Sequence, residues 1–161
     1  AQGIYSKPYL IASVTGPNKG VLYEGESQTQ EVFSKDVMAD LTYALKSTVT
    51  GGTGGAARAL GRPAAGKTGT SQSNASAWFS AYTPQLAASV ALFRDSASES
   101  LNGIGGLTSV TGGTFPARIW TAFMKGALKG EPIMSFPEPA NVGGLEPIDM
   151  TTGGVQVRKP K

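Results

Sequence analysis

A five-residue segment from Gly66 to Thr70, Gly-Lys-Thr-Gly-Thr, constrains the fold of this 161-residue chain more than any other stretch. Small residues precede it and a Ser/Asn-rich turn follows it, so a helix is disfavoured and a short strand is predicted. In a strand, Lys67 and Gly69 point to one face, while Thr68 and Thr70 point to the other. Because the glycine removes bulk, an extended ligand could lie against this strand while the lysine and the hydroxyls hold a terminal carboxylate.

The same letters fit a second pattern, the phosphate loop G-x-x-x-x-G-K-[ST] of nucleotide-binding proteins, over residues 61–68. That loop requires a buried strand before its first glycine and a helix beginning at its lysine, because the helix N-terminus binds the phosphates. Four glycines between Gly51 and Gly55 precede it instead, and Gly69 opposes a helix after it. An apolar run ending at Asp95 resembles the acidic strand of a nucleotide site, so nucleotide binding stays the alternative.

Two apolar runs after the segment, residues 77–83 and 86–94, predict further strands joined by a turn at Pro84-Gln85. Apolar and small residues fall on both faces of these runs. An antiparallel sheet covered on both sides is therefore expected, with Trp78 and Phe79 as packing residues.

Two helices are predicted to flank these strands. The first runs from Ser34, its N-cap, to Val49, and the second from about Phe115 to Lys129, where Gly130 stops it. The apolar residues expected to face the core are Val37, Met38, Leu41, Ala44, Leu45 and Val49 in the first helix, and Ile119, Trp120, Phe123, Met124, Ala127 and Leu128 in the second.

The remaining segments complete an α+β prediction, an antiparallel sheet flanked by helices. Residues 4–14 and 20–24 flank a turn rich in Gly, Pro and Asn, and predict a hairpin. Residues 1–130 are expected to form one folded portion. Residues 131–161 form a Pro/Gly-rich tail that buries little apolar surface, so it is expected to wrap loosely or stay partly disordered, with Arg158–Lys161 as a solvated end.

Composition excludes several kinds of chemistry. The chain has no histidine and no cysteine, so it cannot supply a Ser-His-Asp triad or the usual zinc ligands, and no metal or cofactor is expected. Its net charge is +3, but the basic residues are scattered without interleaved aromatics, which argues against nucleic acid as a partner. Charged residues make up 16%, below the usual value of about 25%, which indicates a surface partly covered by something else.

Six groups of residues, one of which contains the Lys-Thr-Gly-Thr segment, give the chain a family context. They occur in the order 3–11, 20–24, 52–57, 65–70, 77–84 and 119–124, and include Ala-Gly-Lys-Thr-Gly-Thr and Ala-Trp-Phe-Ser-Ala-Tyr-Thr-Pro. In this order they resemble the C-terminal half of the transpeptidase domain of class A penicillin-binding proteins, over residues 1 to about 137. Gly-Thr-Gly and Ala-Trp-Phe favour this family over the class A β-lactamases, the nearest enzymatic alternative.

The resemblance implies a DD-transpeptidase fold and activity, in which a serine attacks the D-Ala-D-Ala end of a peptidoglycan stem peptide and is acylated by β-lactams. It implies that Lys67 acts near the proton-relay residues, that Thr68, Gly69 and Thr70 bind the substrate, and that the backbone N–H of Thr70 belongs to the oxyanion hole. The glycine loop at 50–55 is either a flexible linker or a cover over this strand, with Thr53 near the substrate path.

The nucleophile that the family requires is absent from this sequence. No serine is followed three residues later by lysine, and Ser100-Leu101-Asn102 lies downstream of where the family's S-x-N element belongs. The expected partners are therefore the N-terminal part of the same domain as a second polypeptide, stem peptides and β-lactams. The resemblance implies a location on the extracytoplasmic face of the bacterial membrane, with the anchor outside this chain, and a non-catalytic penicillin-binding module is the other alternative.

Overall fold

The computed structural model describes residues 1–96 and 98–143, and it has the α+β architecture expected from the sequence. Four short strands come first, followed by a helix, three longer strands and a second helix. A 3-10 helix at Gly55–Leu60 precedes the longer strands. The elements are β1 Ile4–Lys7, β2 Ser13–Thr15, β3 Val21–Glu24, β4 Gln28–Glu31, α1 Lys35–Thr50, β5 Ala65–Thr70, β6 Ser76–Tyr82, β7 Ala87–Phe93 and α2 Phe115–Ala127.

Strands β5, β6 and β7 form one antiparallel sheet in sequence order, as predicted. Their bounds lie close to the expected ones because short turns separate three runs of strand-forming residues. Lys67 pairs with Ser80, and Phe79 pairs with Val90, without a register shift. Paired residues in adjacent strands share a face, so this register decides which side chains pack together.

The core lies between one face of this sheet and α2. Phe79 is fully buried on that face and meets Trp120 edge to face, with ring centroids 5.4 Å apart at 86°. The indole N–H of Trp120 lies 3.2 Å from the carbonyl oxygens of both Ala81 and Ala88, so this buried donor is satisfied. Helix α2 is thereby fixed across β6 and β7.

Among the described residues the opposite sheet face is partly open, so the rest of the cover expected on this side does not come from this part of the chain. Trp78 is 45% exposed and Phe93 is 68% exposed there. Helix α2 packs on the Phe79 face, and α1 packs beside β5, where the Thr42 and Tyr82 hydroxyl oxygens are 3.0 Å apart. The packing role expected for Phe79 is confirmed, whereas Trp78 is only half-buried.

The helices begin and end close to the predicted residues. Half of the apolar residues that were expected to face the core are exposed, however. The hydroxyl of Ser34 caps α1 by accepting the backbone N–H of Val37 at 3.3 Å. Helix α1 carries apolar residues on two faces, and residues 1–96 and 98–143 cover only one of them. In α1 the buried residues are Ala39, Thr42 and Val49, while Val37, Leu41 and Ala44 are exposed. In α2 they are Pro116, Ala117, Trp120, Thr121 and Met124, while Ile119, Phe123 and Ala127 are exposed.

The N-terminal hairpin is more complex than predicted. Strands β2 and β3 do pair across the expected turn, but β1 pairs with β4 in a second ladder. Strand β4, Gln-Thr-Gln-Glu, was missed because its residues are polar on both faces and give no alternating signal. All residues of these four strands are exposed.

The chain after α2 is held down as far as it is described, which corrects the loosely wrapped tail. We call residues 131–143 the strap. Its first carbonyl groups accept hydrogen bonds from Arg62 and Gln85, and Phe136 packs edge to face on Tyr82. Asp40 of α1 accepts two backbone N–H groups near the strap's end, both at 2.8 Å. The expected solvated end at Arg158–Lys161 lies outside the described residues.

Candidate functional site

Strand β5 has a free edge among the described residues, because it pairs only with β6. The backbone N–H of Ser71 donates to the carbonyl of Ser76 at 3.0 Å, which sets the alternation of the antiparallel ladder. By that alternation Gly69 and Lys67 bond to β6, and the N–H and C=O groups of Thr68 and Thr70 point to the free edge. An extended peptide could therefore pair with β5 at these two threonines.

Lys67 lies on the open face of the sheet, as the strand prediction required. It pairs with Ser80 across the ladder, and its side chain is exposed. Its ammonium group donates to the carbonyl of Thr68 at 3.0 Å, so it bends toward the free edge. The positive charge of Lys67 and the outward N–H groups of Thr68 and Thr70 thus lie along the same edge of the sheet.

Thr68 and Thr53 are brought together by the loop that follows α1. Helix α1 ends at Gly51, and the next residues return the chain to β5. The hydroxyl oxygens of Thr53 and Thr68 are 2.6 Å apart. The glycine loop is therefore packed against β5, which favours the covering interpretation of this loop over a free linker.

The Thr70 hydroxyl is held by a different loop, the connection between β7 and α2. The backbone N–H of Gly112 donates to it at 3.2 Å. The predictions from the sequence did not connect this loop with the strand. Its glycines, Gly112 and Gly113, are the only signal that could have suggested a close backbone approach.

These two glycines fill the space between the sheet and the Thr53 loop. A Cβ on Gly112 would lie 2.1 Å from the carbonyl oxygen of Trp78, and one on Gly113 would lie 2.1 Å from that of Thr53. Both neighbours are backbone atoms, which cannot rotate away. Any larger residue here would push the two loops apart, so glycine is required for this packing.

Gly69 lies beside Trp78 on the open face, where the sequence predicted a strand free of bulk. A Cβ there would lie 3.3 Å from the Cβ of Trp78, which is a tight contact. The surface next to Lys67 is therefore flat. Lys67, Thr68, Gly69, Thr70 and Thr53, the five residues singled out in the sequence, occupy one short edge.

The turn after β5 is braced by side-chain hydrogen bonds. The Asn74 amide donates to Asn102 Oδ1 at 2.7 Å and to Ser109 Oγ at 2.8 Å. Leu101 is buried beneath this turn, beside Ala77 and Val110. The Ser-Leu-Asn triplet at 100–102 therefore has a packing role.

The phosphate-loop alternative is contradicted by the backbone. Lys67 lies inside strand β5, and no helix begins at it. Residues 72–74 form a single 3-10 turn, too short to bind phosphate through a helix dipole. Within residues 1–96 and 98–143, no cluster of three carboxylate, histidine or cysteine residues could hold a metal ion, and no helix is long and apolar enough to cross a membrane.

Comparison with known proteins identifies the family of this chain. The family model described as the penicillin binding protein transpeptidase domain matches residues 1–100. The chain belongs to this transpeptidase family. The matched part includes the Thr53 loop, β5, β6 and β7, so the candidate edge lies within the family domain.

Individual members of the transpeptidase family give the same assignment. The chain is 34% identical to penicillin-binding protein 1A of Mycolicibacterium smegmatis over 89% of its own length and 19% of that protein. It is 34% identical to penicillin-binding protein 2D of Bacillus subtilis over 91% of its length and 21% of that protein. The chain thus spans about a fifth of the length of these curated relatives.

A solved structure of the penicillin-binding protein PonA1 from Mycobacterium tuberculosis, in complex with penicillin V, has a similar fold. It superposes with a TM-score of 0.76 and 34% identity, over 86% of this chain and 38% of that one. A second structure of PonA1 from the same organism superposes with a TM-score of 0.77 and 31% identity, over 100% of this chain and 44% of that one. Both similarities support the penicillin-binding transpeptidase fold.

Proposed function

We propose that this chain supplies the substrate-recognition strand of a serine DD-transpeptidase, which cross-links stem peptides ending in D-Ala-D-Ala and is acylated by β-lactams. The observation that carries the proposal is the free edge of β5. It combines outward backbone groups at Thr68 and Thr70 with their hydroxyls and with the Lys67 ammonium. An extended peptide that ends in a carboxylate fits this combination.

In the proposed reaction, the stem peptide pairs with β5 as an added antiparallel strand. A serine supplied from outside this chain attacks the carbonyl of the penultimate D-Ala, forming an acyl-serine and releasing the terminal D-Ala. The outward N–H of Thr70 is one donor to the oxyanion, a position where loss of a donor typically costs about 10²–10³ in rate. An amine of a neighbouring peptide then takes the acyl group and frees the serine.

The terminal carboxylate is bound by the hydroxyls, with Thr70 as the principal donor and Thr68 beside it. Hydrogen bonds to a charged group are worth about 1.5–3 kcal/mol each. Lys67 adds positive charge near this carboxylate and near the residues that move the serine proton. A β-lactam enters as a mimic of this peptide, since its carboxylate and its strained amide resemble the same two groups.

The open surfaces support a second segment as the partner. Trp78 and Phe93 are exposed on the sheet, and Val37 and Leu41 are exposed on α1. We propose that the N-terminal part of the same domain covers these surfaces and brings the serine and its lysine. Residues 1–130 then form the C-terminal portion of that domain, and the assembled enzyme works on the outer face of the cell membrane.

The experiment compares labelling by fluorescent penicillin in the assembled domain, meaning this chain together with the segment that carries the serine. Thr70→Val removes one hydroxyl and keeps the shape of the side chain. We expect labelling to slow by at least about tenfold, the loss of one hydrogen bond to a charged group. Thr29→Val, an exposed threonine in β4, is the matched control and is expected to label at the original rate.

Three outcomes would redirect the proposal. An unchanged labelling rate in Thr70→Val would show that Thr70 does not bind the carboxylate. Steady hydrolysis of penicillin without a stable acyl-serine would indicate a β-lactamase. Reversible binding without any acylation would indicate a non-catalytic penicillin-binding module.

A further inference from the structure

The two hydroxyls of β5 are each held by a loop that has no place in the proposed reaction. Thr53 Oγ1 lies 2.6 Å from Thr68 Oγ1, and the Gly112 N–H donates to Thr70 Oγ1 at 3.2 Å. We infer that Thr53 and the Gly112 backbone are positioning groups that aim the Thr68 and Thr70 protons outward, so that the strand selects a ligand with an anionic end. This inference rests on the proposed function.

The orientation of the Thr70 hydroxyl follows from its single proton. A threonine hydroxyl has one proton to donate and can accept at its lone pairs. Because the Gly112 N–H already occupies an acceptor site, the Thr70 proton turns away from that loop. No acceptor among the described residues takes this proton, so it is available to a ligand at the free edge.

The same count applies to the hydroxyl pair. Only one of the two protons can lie between the oxygens of Thr53 and Thr68, and the other is free. When Thr68 donates to an anion, Thr53 must be the donor to Thr68. This gives a chain from Thr53 through Thr68 to the ligand, in which each hydrogen bond polarises the next. Thr53 thus acts through Thr68 and does not need to touch the ligand.

The packing of the loops makes this arrangement rigid. Gly112 and Gly113 lie against the backbone of Trp78 and Thr53, each with an atom 2.1 Å from where a Cβ would be. The Thr53 loop, β5 and the Gly112 loop therefore cannot shift independently. Hydroxyls that are already oriented lose less entropy on binding than free rotors, which raises the selectivity for a matching acceptor.

Both hydroxyls then act as donors at the edge toward which the Lys67 ammonium bends. A carboxylate accepts from all three groups, whereas a neutral ester accepts more weakly, because charge-assisted hydrogen bonds are about twice as strong as neutral ones. The site should distinguish penicillin V from its methyl ester. That discrimination should depend on Thr53.

The test measures second-order acylation rates of the assembled domain by penicillin V and by its methyl ester. Thr53→Val is expected to slow acylation by penicillin V about five- to tenfold, the value of roughly one hydrogen bond, and to change the ester rate by less than about twofold. Thr53→Ser restores the hydroxyl and is expected to restore the rate. Thr50→Val, whose hydroxyl only donates to the Lys46 carbonyl at the end of α1, is the matched control.

A double-mutant cycle separates positioning from general damage. If Thr53 acts through Thr68, then Thr53→Val should have no further effect on penicillin V acylation in a Thr68→Val background. Equal slowing of penicillin V and ester, or additive effects in the cycle, would overturn the inference. So would an unchanged rate in Thr53→Val.

The proposed function fails in a distinguishable way. If the unsubstituted assembled domain is not acylated by penicillin V, both the function and this inference are wrong. If it is acylated and discriminates against the ester, but Thr53→Val behaves like the unsubstituted domain, the function stands and only the role of Thr53 is wrong.

Discussion

The two faces of the β5–β6–β7 sheet are formed by the same strands but differ in burial. On one face Ala77, Phe79 and Ala81 are buried against α2 and its surroundings. On the other, Lys67 is exposed and Trp78 remains half-exposed. Since successive side chains of a strand alternate, a single residue step separates the core from the open surface.

This difference explains why the edge strand is held in place on one face and accessible on the other. Thr68 and Thr70 belong to the packed face, and the loops that contain Thr53 and Gly112 hold their hydroxyls. Lys67 belongs to the open face and bends to the same edge. The packing that fixes the threonines therefore leaves the lysine free to meet a ligand. The predictions below test how distinct the two faces are.

The largest effect is expected from one substitution made on each face. Phe79→Ala should lower the free energy of unfolding of the assembled domain by about 3–5 kcal/mol, because it removes a fully buried ring. Phe93→Ala should cost about 1–2 kcal/mol, because its ring is covered only where the second segment reaches it. Urea unfolding measures both values, and equal losses would contradict the contrast between the faces.

The open face is also expected to make the isolated chain poorly soluble. Exposed apolar surface costs about 25 cal/mol per Å², so a few hundred Å² would consume much of a domain's net stability of about 5–15 kcal/mol. The 161-residue chain alone should aggregate or melt without cooperativity, and penicillin should not label it. Replacing Trp78 and Phe93 together by threonine should reduce its aggregation in sedimentation velocity, whereas a sharp thermal transition from the unsubstituted monomer would refute this prediction.

A smaller effect is expected where the strap crosses the end of the open face. Hydrogen bonds from the backbone of Asn141, and then of Val142, lower the pKa of Asp40 below its usual value, although partial desolvation opposes this. A lowered folded-state pKa stabilises the attachment above pH about 4, and the attachment is lost as the pH falls through the lower folded value.

Asp40→Asn should therefore loosen the end of the strap at neutral pH, because the amide is neutral and offers a single acceptor oxygen. Amide NMR signals of residues 141 and 142 in the assembled domain would report this change. Asp36→Asn, one turn earlier in α1, serves as the control and should leave these signals unchanged. Identical spectra for Asp40→Asn and the unsubstituted domain would show that Asp40 does not hold the strap.

The last prediction is the absence of nucleotide binding. ATP with Mg²⁺ should not bind, because Lys67 lies in a strand and no helix N-terminus faces it. A fluorescence titration with a labelled nucleotide should stay flat. Micromolar affinity would show that the open face binds phosphate and that the sequence alternative was dismissed wrongly.

The sequence predicted the strands and helices whose apolar residues recur at a regular spacing. Three runs separated by short turns gave β5, β6 and β7 within about two residues, and the cap at Ser34 gave the start of α1. The buried faces of the helices were harder to predict, because α1 has apolar residues on two sides and only the assembled fold decides between them. The residue type at each position does not carry that information.

The contacts that were missed are made by backbone groups. The strap is held through its own carbonyl and N–H groups by Arg62, Gln85 and Asp40. The Thr70 hydroxyl is held by an N–H of Gly112. Such bonds join positions far apart in the sequence and leave no hydrophobic period. The residues of the candidate edge and Thr53 could therefore be found from the sequence, but the Gly112 support of Thr70 could not.

The most direct test of the central claim is a crystal structure of the assembled domain acylated by penicillin V. The account predicts an acyl group on a serine from the other segment, with the ligand lying along β5. Its carboxylate should lie within about 3.2 Å of the Thr68 and Thr70 hydroxyls, and its acyl oxygen within the same distance of the Thr70 backbone nitrogen. A penicillin bound with its carboxylate away from β5, and with both hydroxyls unoccupied, would contradict the account.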